Sequence, residues 1–345
     1  MYCLFLRSKN IDNFELLKYT EVIGGYVMKK KTKEKLLRNI FFLVIVILGV
    51  VTSYYLDFSN NTDLVNQNED NKVTNVSNNE ISNTQVEPKL QIHYIDVGQA
   101  DAILIKQGEH SMLIDAGKND TEDSVINYLK EQKVSKFDFI VGTHVHEDHI
   151  GGMDKVIQNF EVSNILFPKQ TSTTRTFENF VKAVKEKNMK LYAPSVEEKF
   201  ELGDATFEVF APNSSDYEEA NDYSIVIKLT YKNKSFLFMG DAEETSEKEI
   251  LSKDFDVKCD VLKLGHHGSY SSTSAKFLDK VNPSVAIISC GKDNSYKHPS
   301  KDIMLRLNFK NIPVYRTDES GTIVLNSDGN NISFNVEEGS YNYGK

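Results

Sequence analysis

The sequence predicts an α/β (α+β) protein in four layers, with two β-sheets packed face to face and helices on both outer sides. A hydrophobic N-terminal segment and a flexible linker precede it. Three observations lead there. From residue 89 onward, apolar runs of strand length alternate with helical spacings, in two strand-rich halves that share one rhythm. Four of these runs end in side chains that bind metals, three of them with glycine alongside. Ahead of residue 89 the composition changes from basic to apolar and then to polar.

The N-terminal expectations come from that last pattern. Lysines and an arginine crowd residues 29–38, an apolar run covers 40–51, and a softer extension reaches residue 56. A basic stretch followed by an apolar one has the form of a signal sequence, with the bases held in the cytoplasm and the remainder exported. Residues 1–39 are therefore expected to be a cytoplasmic basic leader. Met28, which opens the basic stretch, is expected as an alternative start. Residues 40–56 are expected to be a single-pass signal anchor, with Val51-Thr52-Ser53 as a cleavage site if the protein is secreted instead. Residues 57–88, dominated by Asn with few apolar residues, cannot bury enough surface to offset their ordering entropy and are read as a flexible tether. The folded domain is expected over 89–345.

Its elements follow in order. Strands are predicted at 90–95, 102–106 and 111–114, with a hairpin turn at Gly108-Glu109 between the last two. Val125, Ile126 and Leu129 give helical spacing to 121–131, and acids fill its first turn. A strand at 137–141, a helix at 152–160, a strand at 162–167, a basic helix at 176–187 and a strand at 190–192 complete the first half. The second half has strands at 205–210, 223–230 and 235–239, a helix at 243–251 and a strand at 258–264. Helices at 273–280 and 300–307 flank a strand at 284–289, and two short strands close the chain. A helix crossing between the strands near Cys259 and Cys290 makes them parallel. The two thiols then lie on the order of 20 Å apart, too far for a disulfide, and are expected to be free.

Chemistry is concentrated after the strand at 137–141. His144, His146, Asp148 and His149 fall within six residues, in a chain with 8 histidines altogether. A buried strand ending in such a cluster delivers several ligands to one point, and imidazole with carboxylate suits zinc, manganese or iron. Gly151-Gly152 fits a chain that turns tightly beneath them. Three further strand ends add Asp96 to Asp101, Gly240-Asp241, and Gly265-His266-His267-Gly268-Ser269. A net charge of -10 argues against a binder of polyanion coats, though not against a nucleic-acid enzyme whose metals supply positive charge.

The run His-x-His-x-Asp-His, a later Gly-Asp and a still later His resemble the metallo-β-lactamase superfamily. Asp-Val-Gly-Gln-x-Asp-Ala at 96, Leu-Ile-Asp-Ala-Gly at 113, Gly-His-His-Gly-Ser at 265 and Tyr-Lys-His-Pro at 296 resemble the hydrolase domain of ComEC-type DNA-uptake proteins. The resemblance covers residues 90–330 and implies an αββα sandwich holding one or two metals. It implies that His144 and His146 bind the first metal and that Asp148, His149 and His266 bind the second, with Asp241 bridging. His267 then faces the substrate as general acid or hydrogen-bond donor. The superfamily's third histidine for the first metal is missing, because no His occurs between His149 and His266. Asp222, or water, is the expected substitute. Two Zn2+ ions per chain are expected, with Mn2+ the alternative as oxygen replaces nitrogen.

Two such cations lower the pKa of a shared water and neutralise charge on a phosphoryl oxygen, while Asp148 and Asp241 orient that water or take its proton. Asp96 and Asp115 are expected to hydrogen-bond the ligating imidazoles. Gln99, Asp101, Ser269 and His298 are expected at the rim, against substrate. The first expected function is a phosphodiesterase or nuclease acting on DNA or another nucleic acid outside a bacterial cell membrane. Lys169, Arg175, Lys182, Lys185, Lys187 and Lys190 around one helix offer a phosphate-contacting face. The alternatives are a cell-wall phosphodiesterase of the teichoic-acid choline esterase type, or another ester or lactam hydrolase. A non-catalytic binding domain would not need paired metals. No feature identifies a protein partner.

Overall fold

A computed structural model describes residues 89–344. The leader, the start at Met28, the anchor at 40–56 and the linker at 57–88 lie outside the described residues. Among the described residues no helix is long and apolar enough to cross a membrane.

The chain forms two sheets. The first begins with an antiparallel meander of β1 (Leu90–Tyr94), β2 (Ala102–Gln107) and β3 (His110–Ala116). It continues with parallel β4 (Lys136–Val141), β5 (Glu161–Leu166) and β6 (Leu191–Tyr192). The second repeats the plan. Antiparallel β7 (Lys199–Leu202), β8 (Ala205–Ala211), β9 (Val226–Tyr231) and β10 (Lys234–Phe238) lead into parallel β11 (Val261–Lys263), β12 (Val285–Ile288) and β13 (Val314–Arg316). The chain then returns to the first sheet, where β14 (Ile323–Ser327) pairs antiparallel with β1 and β15 (Ile332–Phe334) closes the edge.

Why these runs become strands of a sandwich is plain from their alternation. In β4, Phe139 and Val141 join the core between the sheets, while Ile140 faces the helices behind. Phe236 and Phe238 of β10 point into the same central core, and Leu237 faces the helices on the other side. Strands buried on both faces read as continuous apolar runs. The first outer layer is α1 (Glu122–Glu131), the short α2 (Glu147–Ile150), α3 (Met153–Asn159) and α4 (Arg175–Glu186). The second is α5 (Glu244–Ser252), α6 (Ala275–Val281) and α7 (Lys301–Phe309); α8 (Thr317–Ser320) is a single turn after β13. The predicted four layers are all present.

Local departures have local causes. β7 escaped notice because Lys199-Phe200-Glu201-Leu202 carries only two apolar residues, enough for an edge strand. β9 starts later than expected because Ala220–Tyr223 forms a 3-10 turn. β11 is only three residues long, although Asp260 just before it bonds Ser235 of β10 and Val285 of β12 through its backbone. Three strands close the chain rather than two. β11 and β12 are parallel, and Cys259 and Cys290 are free and buried.

Phe207 of β8 sits at the heart of the central layer, stacked on Phe200 at 4.9 Å and edge-on to Phe139 of the opposite sheet at 5.0 Å. Phe207→Ala is expected to cost about 3–5 kcal/mol of stability, read from urea denaturation. A loss under about 1 kcal/mol would show that the sheets do not depend on this contact.

Candidate metal centre

The C-terminal ends of β3, β4, β10 and β11 open on one rim, the place where α/β sheets gather ligands. Asp115 ends β3, Thr143 to His149 follow β4, Asp241 follows β10, and His266 and His267 follow β11. Gly240 adopts φ +52°, and a Cβ there would stand 3.0 Å from Thr143 Cβ, so glycine lets the two loops meet. Gly151 and Gly152 have ordinary negative φ. They are needed for space instead, because a Cβ would come 2.4 Å from the backbone of Lys118-Asn119 and of Ala116 respectively.

Asp148, His149, Asp241 and His267 converge, with one donor atom from each within 4.8 Å of all the others. His149 Nε2 lies 3.2 Å from Asp241 Oδ2 and 4.0 Å from Asp148 Oδ2. His267 Nε2 lies 3.4 Å from Asp148 Oδ2 and 3.7 Å from Asp241 Oδ1. His144 stands beside this group, its Nε2 3.0 Å from His146 Nδ1 and 3.9 Å from Asp241 Oδ2. The imidazoles are held from behind. His149 Nδ1 is 2.8 Å from Asp115 Oδ2, and Asp115 also accepts the Thr143 amide and hydroxyl at 2.8 Å each. His267 Nδ1 lies 3.0 Å from the Ser289 carbonyl and 3.3 Å from Asp101 Oδ1.

Charge explains the arrangement. Burial alone would raise the Asp241 pKa, but the neighbouring imidazoles, His149 foremost, hold it well below the usual carboxylate range. Asp148 is lowered in the same way, against its burial, by His149 and His267. Burial likewise opposes charge on His267, yet Asp241 and Asp101 push it up to about 10, and His149 is raised by Asp241, Asp115 and Asp148. His144 goes the other way, lowered by burial and by His149. The acids therefore demand positive charge at this point, which protons or metal cations can supply. Buried His149 Nε2, His267 Nε2 and Asp241 Oδ1 have no hydrogen-bond partner. Orphaned donors about 3–4 Å apart suit a cation with bonds of about 2.0–2.2 Å. The residues fit a metal.

Residues 95–292 match the family described as the Metallo-beta-lactamase superfamily. The chain belongs to that superfamily. It is 29% identical over 251 residues to ComE operon protein 3 of Bacillus subtilis (strain 168), covering 68% of this chain and 32% of that protein. It is 28% identical over 244 residues to Recombination protein 2 of Haemophilus influenzae, covering 69% and 29%. To Competence protein ComA of Neisseria gonorrhoeae it is 27% identical over 232 residues, covering 66% and 31%. The chain thus spans about a third of the length of these relatives. Its family is one of metal-dependent hydrolases, and its His/Asp cluster is able to hold a divalent metal ion.

Within this metallo-β-lactamase fold, several expected parts change places. His267, expected to face substrate, is buried among Asp148, His149 and Asp241, whereas His266, expected with them, is partly exposed. Asp222 does not face the cluster. Its Oδ1 accepts the amides of Glu243 and Ser246 at 3.2 Å each, because the start of α5 offers unpaired N–H groups there. Asp96 is exposed and accepts the Gly98 amide, a turn contact rather than support for an imidazole. Asp101 is not at the rim; it is 1% exposed and reaches Lys263 Nζ at 2.8 Å. Gln99 and His298 are buried together, 3.3 Å apart, and Gln99 Oε1 accepts the Gly291 amide. Ser269 is also buried, its Oγ 2.9 Å from Ser271 Oγ. Asp115 stands where it was expected, behind His149.

Lys263, Glu243, Thr143 and Ser224 were missed. Lys263 had a visible signal, a lone charge inside the apolar run 261–264. It is fully buried and crosses from the second sheet to Asp101 of the first. Lys263→Ala leaves Asp101 uncompensated and is expected to cost about 3–5 kcal/mol, read from chemical denaturation. A near-neutral result would mean that Asp101 finds another partner. A second expectation concerns protons. His149 and His267 are held above the usual histidine range, so an entering cation must displace their protons. Zinc or manganese titration near pH 7 should release about two protons per chain, and apparent affinity should fall as pH drops. Calorimetry in buffers of different ionisation enthalpy measures this directly, and equal heats in all buffers would contradict it.

Proposed function

We propose that the protein is a two-metal phosphodiesterase that cleaves DNA or another nucleic acid on the outer side of a bacterial membrane. The observation that carries this reading is Asp241. Its carboxylate is approached by His149 Nε2 at 3.2 Å, His267 Nε2 at 3.7 Å and His144 Nε2 at 3.9 Å, with His146 beside His144 and Asp148 beside His149 and His267. Zn2+ suits the nitrogen-rich donors, and Mn2+ is the alternative as carboxylates take a larger share. Bound ions would supply a water activated at neutral pH and would neutralise charge on a phosphoryl oxygen.

The chain's own residues divide the remaining work. The Asp148 side chain is 27% exposed, while that of Asp241 is 2% exposed. Asp148 is therefore the carboxylate open to solvent and substrate, and the one placed to take the proton of the attacking water. Asp241 is the inner anchor. His298 is pushed down to about 4 by burial and by the nearby His266 and His267, so it is neutral at pH 7 and acts as a hydrogen-bonding group.

Exposed His146 borders an open groove of about 650 Å³, lined also by Lys169, Gln170, Thr174, Tyr217 and Tyr223. A cation and two tyrosines beside the cluster suit a polymer with phosphates and bases. Lys182, Lys185, Lys187 and Lys190 are exposed on and after α4, so a phosphate-contacting face beyond the groove is sterically open. Relatives named for competence and recombination support a role in DNA handling. The apolar run at 40–56 behind a basic leader supports a single-pass anchor with this domain outside the membrane.

The test offers metal-loaded protein linear DNA, bis-p-nitrophenyl phosphate, choline phosphodiesters and nitrocefin. DNA cleavage is expected, and His146→Ala should reduce it by more than about 100-fold, since losing a ligand costs more than losing its supporting partner. Turnover of nitrocefin or choline esters without DNA cleavage would reject the nucleic-acid reading.

A further inference from the structure

His144, His146 and the shared Asp241 give the first ion three protein donors, one short of the tetrahedral set that zinc usually takes when closed by protein. We infer that His266 supplies the fourth donor, in place of the histidine absent between His149 and His266. This rests on the two-metal reading above and names a ligand that the sequence had placed on the other ion.

The backbone makes it feasible. His266 (φ 45°, ψ 48°) and His267 (φ 53°, ψ 25°) are consecutive left-handed residues, a conformation that residues with side chains seldom adopt even singly. The turn brings both rings to Asp241 from one short segment, with ring centres 6.1 Å apart and planes at 64°. The rings address different oxygens. His267 Nε2 lies 3.7 Å from Asp241 Oδ1, whereas His266 Nε2 lies 3.8 Å from Oδ2, the oxygen that His144 Nε2 approaches at 3.9 Å. His149 Nε2 is also near Oδ2, at 3.2 Å, but turns toward Asp148 as well. His266 thus shares an oxygen with His144 and stands outside the converging group of Asp148, His149, Asp241 and His267.

The hydrogen bonds behind the ring agree. His266 Nδ1 lies 2.7 Å from Glu243 Oε1, and Glu243 is itself fixed by Asn221 Nδ2 at 3.0 Å and Ser271 Oγ at 2.9 Å. A carboxylate at Nδ1 commits that nitrogen to donating and leaves the Nε2 lone pair directed at the site. The same device recurs for two other imidazoles that face Asp241: Asp115 backs His149 and Asp101 backs His267, while hydroxyls of Thr143 and Ser224 stand behind His144. Asp222, the earlier candidate, is bound to the start of α5, so Glu243–His266 is the pair in reach.

The decisive measurement is metal content and affinity of the full chain, by elemental analysis and zinc calorimetry, with no activity assay involved. Wild-type protein should bind two ions. His266→Gly keeps the left-handed backbone unstrained. It should hold one ion with unchanged affinity and bind the other at least about 100-fold more weakly. Glu243→Gln, which leaves the ring in place, should weaken the same ion by about 10–100-fold. If His266→Gly binds both ions as tightly as wild type, or loses both equally, the assignment is overturned while the two-metal reading stands. If wild type itself binds fewer than two ions, that reading fails and this one with it.

Discussion

A carboxylate sealed from water needs positive charge close by, and Asp241 is such a group, 1% exposed at the meeting point of the two sheets. Everything around it answers that need. His149 and His267 are drawn above their usual range by the surrounding acids, and Asp148 and Asp241 are drawn below theirs by the imidazoles. Such a cluster is costly unless fully paired, since the low dielectric that strengthens each attraction also penalises every unpaired atom. Among the described residues, four of the unpartnered buried atoms sit on the inner face of the cluster or just behind it, at His149, His267, Asp241 and Asp101. That is where a cation would be held.

The sandwich is what makes this concentration of charge tolerable. Parallel strands from each sheet end at the same rim, so four loops are pinned by a core of interdigitated Phe, Ile and Val rather than by one another. Lys263 and Asp101 join the sheets directly behind His267, a buried ion pair whose partners come from different layers. The pair couples the position of a site imidazole to the packing of the two halves. The same logic recurs at smaller scale, where Asp115 ties His149 to the Thr143 backbone and Glu243 ties His266 to Asn221 and Ser271. His149, His266 and His267 are each backed by an acid from another element, whereas His144 Nδ1 rests against the Thr143 and Ser224 hydroxyls.

Much of this was readable in the chain. Apolar runs ending at Val141, Met239 and Leu264 gave both the strands and the direction in which their ligands leave the sheet. The close spacing of His144, His146, Asp148 and His149 marks the site by itself, because ligands that near in sequence must be near in space. Distances along the chain tell less about partners drawn from separate loops. Nothing in the order of residues says that Asp101 turns inward to Lys263 or that Asp96, five residues earlier, turns outward. The exchange between His266 and His267 was invisible for a related reason. Adjacent side chains are separated only by backbone torsions, and two successive left-handed residues reverse the ordinary expectation of which one points inward.

The sequence alone therefore determined the fold class, the two buried cysteines without a bond between them, and the metal-binding loops, since periodicity, composition and local spacing are properties of the chain itself. Tertiary structure alone decided which acid stands behind which imidazole, which of two neighbouring histidines is buried, and that Asp222 binds a helix start instead of the site. Those choices depend on the separation of atoms brought together from distant strands. Electrostatic and hydrogen-bond energies fall away over a few ångströms, a scale that only the packed molecule defines.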